Sequence, residues 1–216
     1  MSLSMPITRK KIKNHWHYGW WMYVALVVAV VVFWNVLFTV TRYQTPAHLN
    51  VEFFAGGGQH SDASAAAMEE LLKTVHEELF PKMEKVSYQF LTMDETYAPV
   101  QLAVWAAAGQ GDVFLLPAEH FRQMAQNGAL LDLQPAIEKG ELRVAGVALS
   151  GGVVFCEEMG VQVQYGIPAD SLVGLQELGL EGKGHILCVM VTGGNEKEAV
   201  SLVDFLVIHM QEASQV

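Results

Sequence analysis

From Trp20 to Val40 the chain reads WWMYVALVVAVVVFWNVLFTV, 21 residues without a charge. At about 1.5 Å per residue, a helix of this length crosses a hydrocarbon core of about 30 Å. The segment predicts a membrane helix, and it commits whatever follows to one side of a bilayer. Trp16, Trp20, Trp21 and Tyr23 near one end, with Trp34 and Tyr43 near the other, put aromatic rings where the two membrane–water interfaces would hold them. A cleaved signal peptide has a shorter apolar region, about 7 to 15 residues, that ends in a small-x-small site. Here the run is longer and passes into Phe38-Thr39-Val40-Thr41-Arg42, so retention as an anchor is expected. The cysteines are Cys156 and Cys188, which leaves none beside the segment for a lipid-modified anchor. Asn35, inside the span, reads either as a tolerated amide or as a hydrogen-bonding partner for a second helix.

Charge orients the segment. Arg9, Lys10, Lys11 and Lys13 precede it and Arg42 alone follows closely, which places residues 1–19 in the cytoplasm as a basic N-terminus and the remainder outside the cell membrane. All 23 acidic residues lie at or beyond Glu52, and from Tyr43 onward only eight basic residues oppose them, a net charge of −15. So acidic a body offers no basic footprint for a phosphate backbone, and nucleic acid is excluded as a partner. With residues 20–41 as the transmembrane helix and 42–48 as a tether broken by Pro46, residues 49–216 are left as one extracytoplasmic domain. That length supports a single core of ordinary size.

Within this domain, strand-like and helix-like runs alternate. Leu49 to Phe54 reads as a strand ending in Gly56-Gly57-Gly58; Ser61 or Asp62 then caps a helix to about Leu79, with Met68, Leu71, Leu72, Val75 and Leu79 at helical spacing. Val86 to Leu91 is a second strand, followed by a helix over Glu95 to Ala108 with Pro99 in its first turn. Asp112 to Leu116 is a short buried strand, and the helix that begins at Pro117 stops at Gly128. Leu142 to Val147, Gly152 to Cys156 and Val161 to Tyr165 read as short strands, antiparallel in part. A helix around Ala169 to Leu178, a strand over His185 to Val191, the turn Thr192-Gly193-Gly194 and a helix capped by Asn195 complete the chain. Ala199, Leu202, Val203, Leu206 and Met210 form the stripe of that last helix. The fold class expected is α/β, a mainly parallel sheet with helices on both faces, plus one N-terminal transmembrane helix.

The stretch AGQGDVFLLPAEHFRQMAQNGALLDLQPAIEKG, Ala108 to Gly140, resembles the first-lobe segment of bacterial extracellular solute-binding proteins of the ABC transporter sugar-binding type. YGIPADSLVGLQELGLEGKG, the strand after it and NEKEAVSLVDFLV are similar to the returning segment and closing helix of that family. The resemblance implies a periplasmic-binding-protein-like fold truncated to about one lobe, because residues 141–183 are too few for a second domain of usual size. It implies carbohydrate or peptide as ligand and an ABC permease or other membrane protein as partner, beside the membrane lipid itself.

Candidate site residues follow from where such turns lie. In an open parallel sheet, the loops after the strands line a crevice at their C-terminal ends. This points to Gln59 and His60 after the glycine turn, Asp94 after the second strand, Glu119 at the start of the next helix, and Asn195 after the last strand. Each has solvated surface as its plainer reading. No catalytic constellation is present: Ser150-Gly151-Gly152 lacks the G-x-S-x-G elbow, and Glu157-Glu158 reads as an exposed acidic turn. The eight histidines show no H-E-x-x-H or paired spacing. No enzyme, cofactor or metal is therefore expected. Cys156 and Cys188 read either as a disulfide or as two buried thiols. Two functions remain: noncovalent solute recognition by a membrane-anchored lobe, or a protein-interaction module that meets a permease or receptor without a small ligand.

Overall fold

Side chains alternate across a strand, so a sheet covered on both faces needs a strand that is apolar at every position. Val113, Phe114, Leu115 and Leu116 meet this requirement and all four are fully buried. They form the central strand of the body in a computed structural model that describes residues 9–41, 45–58, 61–91, 97–157, 160–191 and 194–212. The chain divides into two units, Met1–Gln44 and Thr45–Val216.

The first unit is a helix, α1, over Arg9–Thr41. Its part Gly19–Thr41 is long and apolar enough to cross a membrane. Large apolar side chains from Trp20 to Val40 stand exposed around it. Two polar side chains of that part turn back on the helix itself: Asn35 donates its side-chain amide to the Val31 carbonyl at 3.1 Å, and Thr39 its hydroxyl to the Asn35 carbonyl at 2.8 Å. Asn35 thus finds an acceptor for its side-chain amide on its own helix.

The body runs β1 Asn50–Gly56, α2 Asp62–Glu78, β2 Lys85–Leu91, α3 Ala98–Ala108, β3 Val113–Pro117, α4 Ala118–Gln126 and α5 Gln134–Glu138. Then come β4 Val153–Cys156, β5 Val161–Gln164, β6 Gly166–Pro168, β7 His185–Val189 and α6 Glu196–Glu212. Five strands form one sheet in the order β2-β1-β3-β7-β6, and β4 and β5 form a separate antiparallel pair. β1 pairs parallel with both β2 and β3, whereas β7 runs antiparallel to its neighbours β3 and β6. Four of the five strands therefore point the same way, and the sheet is mainly parallel.

Each face carries its own core. Val51, Phe53, Val113, Leu115, Leu187 and Val189 face the layer of α2 and α6. The alternate positions Phe54, Phe114, Leu116, Ile186 and Cys188 face the layer of α3 and α4. The expected stripe of the last helix is buried throughout, from Ala199, Leu202 and Val203 to Leu206 and Met210. Ser61 caps α2: its hydroxyl accepts the Ser64 amide while the Ser64 hydroxyl accepts the Ser61 amide, a reciprocal box that satisfies two orphan donors.

Two expected elements are replaced. Leu142 to Val147 forms no strand, because its backbone bonds go elsewhere: Leu142 donates to the Ala136 carbonyl and Arg143 to the Asp204 carboxylate. The Arg143 guanidinium returns to the same carboxylate at 2.6 Å, fastening this segment to α6. Ala169 to Leu178 is no α-helix either. Leu172, Leu175 and Leu178 each donate three residues back, a succession of 3₁₀-type turns around Val173–Gln176. Residues 141–183 make no second lobe; Leu142, Ile167, Leu172 and Leu175 bury themselves in the same core as α6. Cys156 and Cys188 are both free thiols.

Candidate functional site

Because β7 runs against β3, its first residue, His185, pairs with Pro117, the last of β3. The C-terminal ends of β1 and β3, the start of β7 and the start of α4 therefore share one end of the sheet. Ala118 at the head of α4 donates to the Gly184 carbonyl at 3.0 Å, which closes this end on itself. β1 leaves it through Gly57 and Gly58, at φ of 89° and 113°, where only glycine is unstrained. Close approach adds a second requirement at both positions. A Cβ on Gly57 would stand 2.5 Å from His185 Nε2, and one on Gly58 would stand 2.2 Å from the Gly179 carbonyl oxygen.

His185 is buried at 7% exposure. Its Nδ1 lies 3.0 Å from the Lys183 carbonyl oxygen, and Nε2 is buried with no hydrogen-bond partner among the described residues. A carbonyl only accepts, so Nδ1 carries the proton, and in the neutral ring Nε2 is left as a bare acceptor. Buried polar atoms are nearly always paired, and an unpaired one calls for an explanation. Beside this turn opens a cleft of about 790 Å³, lined among others by Gly58, Ser61, Ser64, Glu177, Leu180 and Lys183. The capped N-terminus of α2 forms one wall, and the segment leading to β7 forms the other.

The sequence-derived candidates divide between the two ends of the sheet. Glu119, in the first turn of α4, is exposed at the His185 end. Gln59, His60 and Asp94 lie outside the described residues. Asn195 stands at the opposite end. The expectation that it joins the glycine turn took the last strand as parallel, and the antiparallel course of β7 carries its C-terminal turn to the start of β1 and β3. There Asn195 is buried, and its side-chain amide donates to the Asn50 carbonyl at 2.9 Å. It belongs to a polar knot in which the Asp112 carboxylate accepts the Glu52 amide at 2.8 Å and the Glu52 carboxylate accepts the Gly111 amide at 3.0 Å. Sequence reasoning passed over His185 as a lone histidine at a strand start. The one signal for it was a histidine heading the otherwise apolar run HILCV.

Among the described residues no three His, Cys, Asp or Glu side chains gather as a metal site would need. Burial pushes the Cys188 thiol up, and partial burial pushes the Tyr88 phenol on the edge strand up to about 12.

No protein-family model and no curated protein matches the chain. Solved structures do. An extracellular solute-binding protein family 1 member from Alicyclobacillus acidocaldarius is 22% identical with a TM-score of 0.42, over 56% of this chain and 28% of that one. An ABC substrate-binding protein from Listeria monocytogenes, in complex with cycloalternan, is 24% identical with a TM-score of 0.39, over 54% and 28%. A spermidine/putrescine ABC transporter substrate-binding protein from Streptococcus pneumoniae is 9% identical with a TM-score of 0.44, over 73% and 77%. The chain thus spans about 28% of the length of the first two. Over about half of its own length the chain is thus similar in fold to an extracellular solute-binding protein and an ABC substrate-binding protein.

Proposed function

We propose that the chain is a membrane-anchored, extracytoplasmic protein whose lobe recognises a carbohydrate or a peptide noncovalently, by itself or as an accessory to an ABC transporter. The observation that carries this reading is His185 Nε2, a buried ring nitrogen without a partner among the described residues, at the strand ends and next to the glycine turn and the cleft. A bare imidazole nitrogen takes a hydrogen bond from a hydroxyl or an amide N–H, the donors that sugars and peptides carry in quantity. A ligand donor reaches it by lifting the Gly57 turn, whose glycines permit the change of backbone. Glu119, exposed in the first turn of α4, adds a polar group at this end, and the capped start of α2 offers further polar contacts; Gln59, His60 and Asp94 remain candidates from the sequence alone. Noncovalent recognition, with no chemical step, is the whole mechanism.

Thermal melting of the full chain in detergent micelles, against a set of mono- and oligosaccharides and of short peptides, tests this. A ligand at 100 times its dissociation constant stabilises by about 2.7 kcal/mol. That rise is expected with one of the two classes and is expected to vanish in His185→Asn. Absence of any rise across both sets would overturn the reading in favour of an interaction module contacting a permease or receptor. One observation favours that second reading: Leu142, Ile167, Leu172 and Leu175 pack into the same core as α6, so, among the described residues, 141–183 supply no second lobe to close over the cleft.

The anchor part has its own test. Four basic residues before the span against Arg42 after it orient the N-terminus inward. Protease added to intact cells should digest the body and spare a fragment from Met1 to about Tyr43. Recovery of a mature protein beginning near Thr45 would show a cleaved leader instead.

A further inference from the structure

A helix lying on a sheet buries one face and normally turns a polar face to water. α3 does the first and not the second. Ala98 and Leu102 are buried against the sheet, and Trp105 packs on Phe54 with ring centroids 5.1 Å apart. The opposite face carries Tyr97, Val100 and Val104, which are 72%, 65% and 58% exposed, with Ala107 and Ala108 continuing the stripe. Residues 96–111 contain no charge, in a body that carries 23 acidic residues, and α3 alone among the α-helices of the body lacks a charged side chain. The groove that it forms with α4, about 430 Å³, is also uncharged; Pro99, Leu102, Ala106, Met124, Ala129 and Val191 are among its walls.

The position of this face narrows what covers it. Val191 donates to the Ala129 carbonyl and Met190 to the Asp112 carbonyl, while Asp112 binds Glu52 of β1. The C-terminal half of α3 and its groove therefore lie at the end of the sheet where the chain enters the body at Asn50. Only residues 42–49 separate Asn50 from the end of the apolar helix at Thr41. Eight residues extend to at most about 29 Å, less than the width of a body of this size, whose radius of gyration is about 16 Å. A bilayer entered by α1 is then within reach of this end at every protein concentration. A second copy of the body is disfavoured on that face, since two bodies of net charge −15 repel each other.

We propose that the outer face of α3 is a lipid-docking surface: Tyr97, Val100, Val104 and Ala107 seat in the interfacial region of the bilayer and lay the body against it. The absence of carboxylates along residues 96–111 is what lets so acidic a domain approach headgroups. This inference rests on the anchor reading given above and separates from it experimentally. Full-length chain carrying Cys156→Ser, with the remaining Cys188 fully buried, is reconstituted in nanodiscs of zwitterionic phosphatidylcholine. A spin label is placed in turn at Val104→Cys, at Glu177→Cys beside the cleft, and at Leu26→Cys in the span. Collision rates with oxygen, which partitions into lipid, and with a water-soluble nickel chelate are then compared. The oxygen-to-nickel ratio is expected to be several-fold higher at Val104 than at Glu177, and to fall to the Glu177 value when Val100→Asp and Ala107→Asp are added. Equal ratios at Val104 and Glu177, with Leu26 in lipid, would overturn the docking while leaving the anchor intact; a water-exposed Leu26 would instead mean that the anchor itself fails. A ratio unmoved by the two aspartates, or dipolar broadening between Val104 labels of two copies, would also overturn the proposal.

Discussion

Phe114→Ala removes the side chain on which the α3–α4 layer is assembled. Phe114 is fully buried at the centre of the sheet, and its ring meets Phe54 edge-on with centroids 5.1 Å apart. Phe54 passes the contact on to Trp105 of α3. Truncating a buried phenylalanine costs about 3–5 kcal/mol, the upper part where the site cannot collapse, and losing an aromatic pair accounts for about 0.5–1.5 of that. Against a total stability of about 5–15 kcal/mol, the variant retains only part of its margin. With a urea slope of about 2 kcal/mol per molar, the midpoint should fall by roughly 2 M. The assay is urea unfolding of the full chain in micelles, followed by near-ultraviolet circular dichroism to report aromatic packing. Leu115→Ala, one residue on and facing the α2–α6 core, should cost about 2–5 kcal/mol in the other layer. Phe155→Ala, 55% exposed, should cost less than about 0.5 kcal/mol. If Phe114→Ala moved the midpoint no further than Phe155→Ala, the two-layer core would be wrong.

Asn195→Ala should lower stability by about 1–3 kcal/mol, because it leaves the Asn50 carbonyl short of its buried donor, while leaving any ligand-induced rise in melting temperature unchanged; urea titration with and without ligand reads both. Gly58→Ala should destabilise strongly or block folding, since the new Cβ meets the Gly179 carbonyl oxygen at a backbone angle closed to L-residues, and expression with circular dichroism checks it. The alkaline limb of stability should be steep. Cys188 and Tyr88 both hold their protons more tightly folded than unfolded, so their contribution is complete below the unfolded values and is lost as pH rises, from about 9 for the thiol and over about 10 to 12 for the phenol. Melting temperature against pH should therefore turn down above about 9, and a flat profile to pH 11 would refute the burial of these groups.

What the sequence disclosed and what it withheld divide along a physical line. Periodicity reports which faces are buried, and so the full burial of Val113 to Leu116 and the stripe from Ala199 to Met210 were legible. Leucines at 172, 175 and 178 repeat every three residues, the period of a 3₁₀ succession, and reading them at 3.6 produced an α-helix that is not there. Strand direction leaves no such trace. HILCV is buried at all five positions, and a run with no polar face reads the same parallel or antiparallel; the difference lies in which end of the sheet its following turn reaches. That single undetermined sign moved Asn195 from the supposed crevice to the polar knot at Asn50. It also brought His185, which closes the loop before the strand instead of following it, to the ends of β1 and β3. The candidate site thus depends on topology more than on motif. A histidine that shows no metal spacing and no catalytic pattern in sequence becomes a candidate only because β7 reverses, and sets an imidazole nitrogen, unpaired among the described residues, against a turn where no side chain fits.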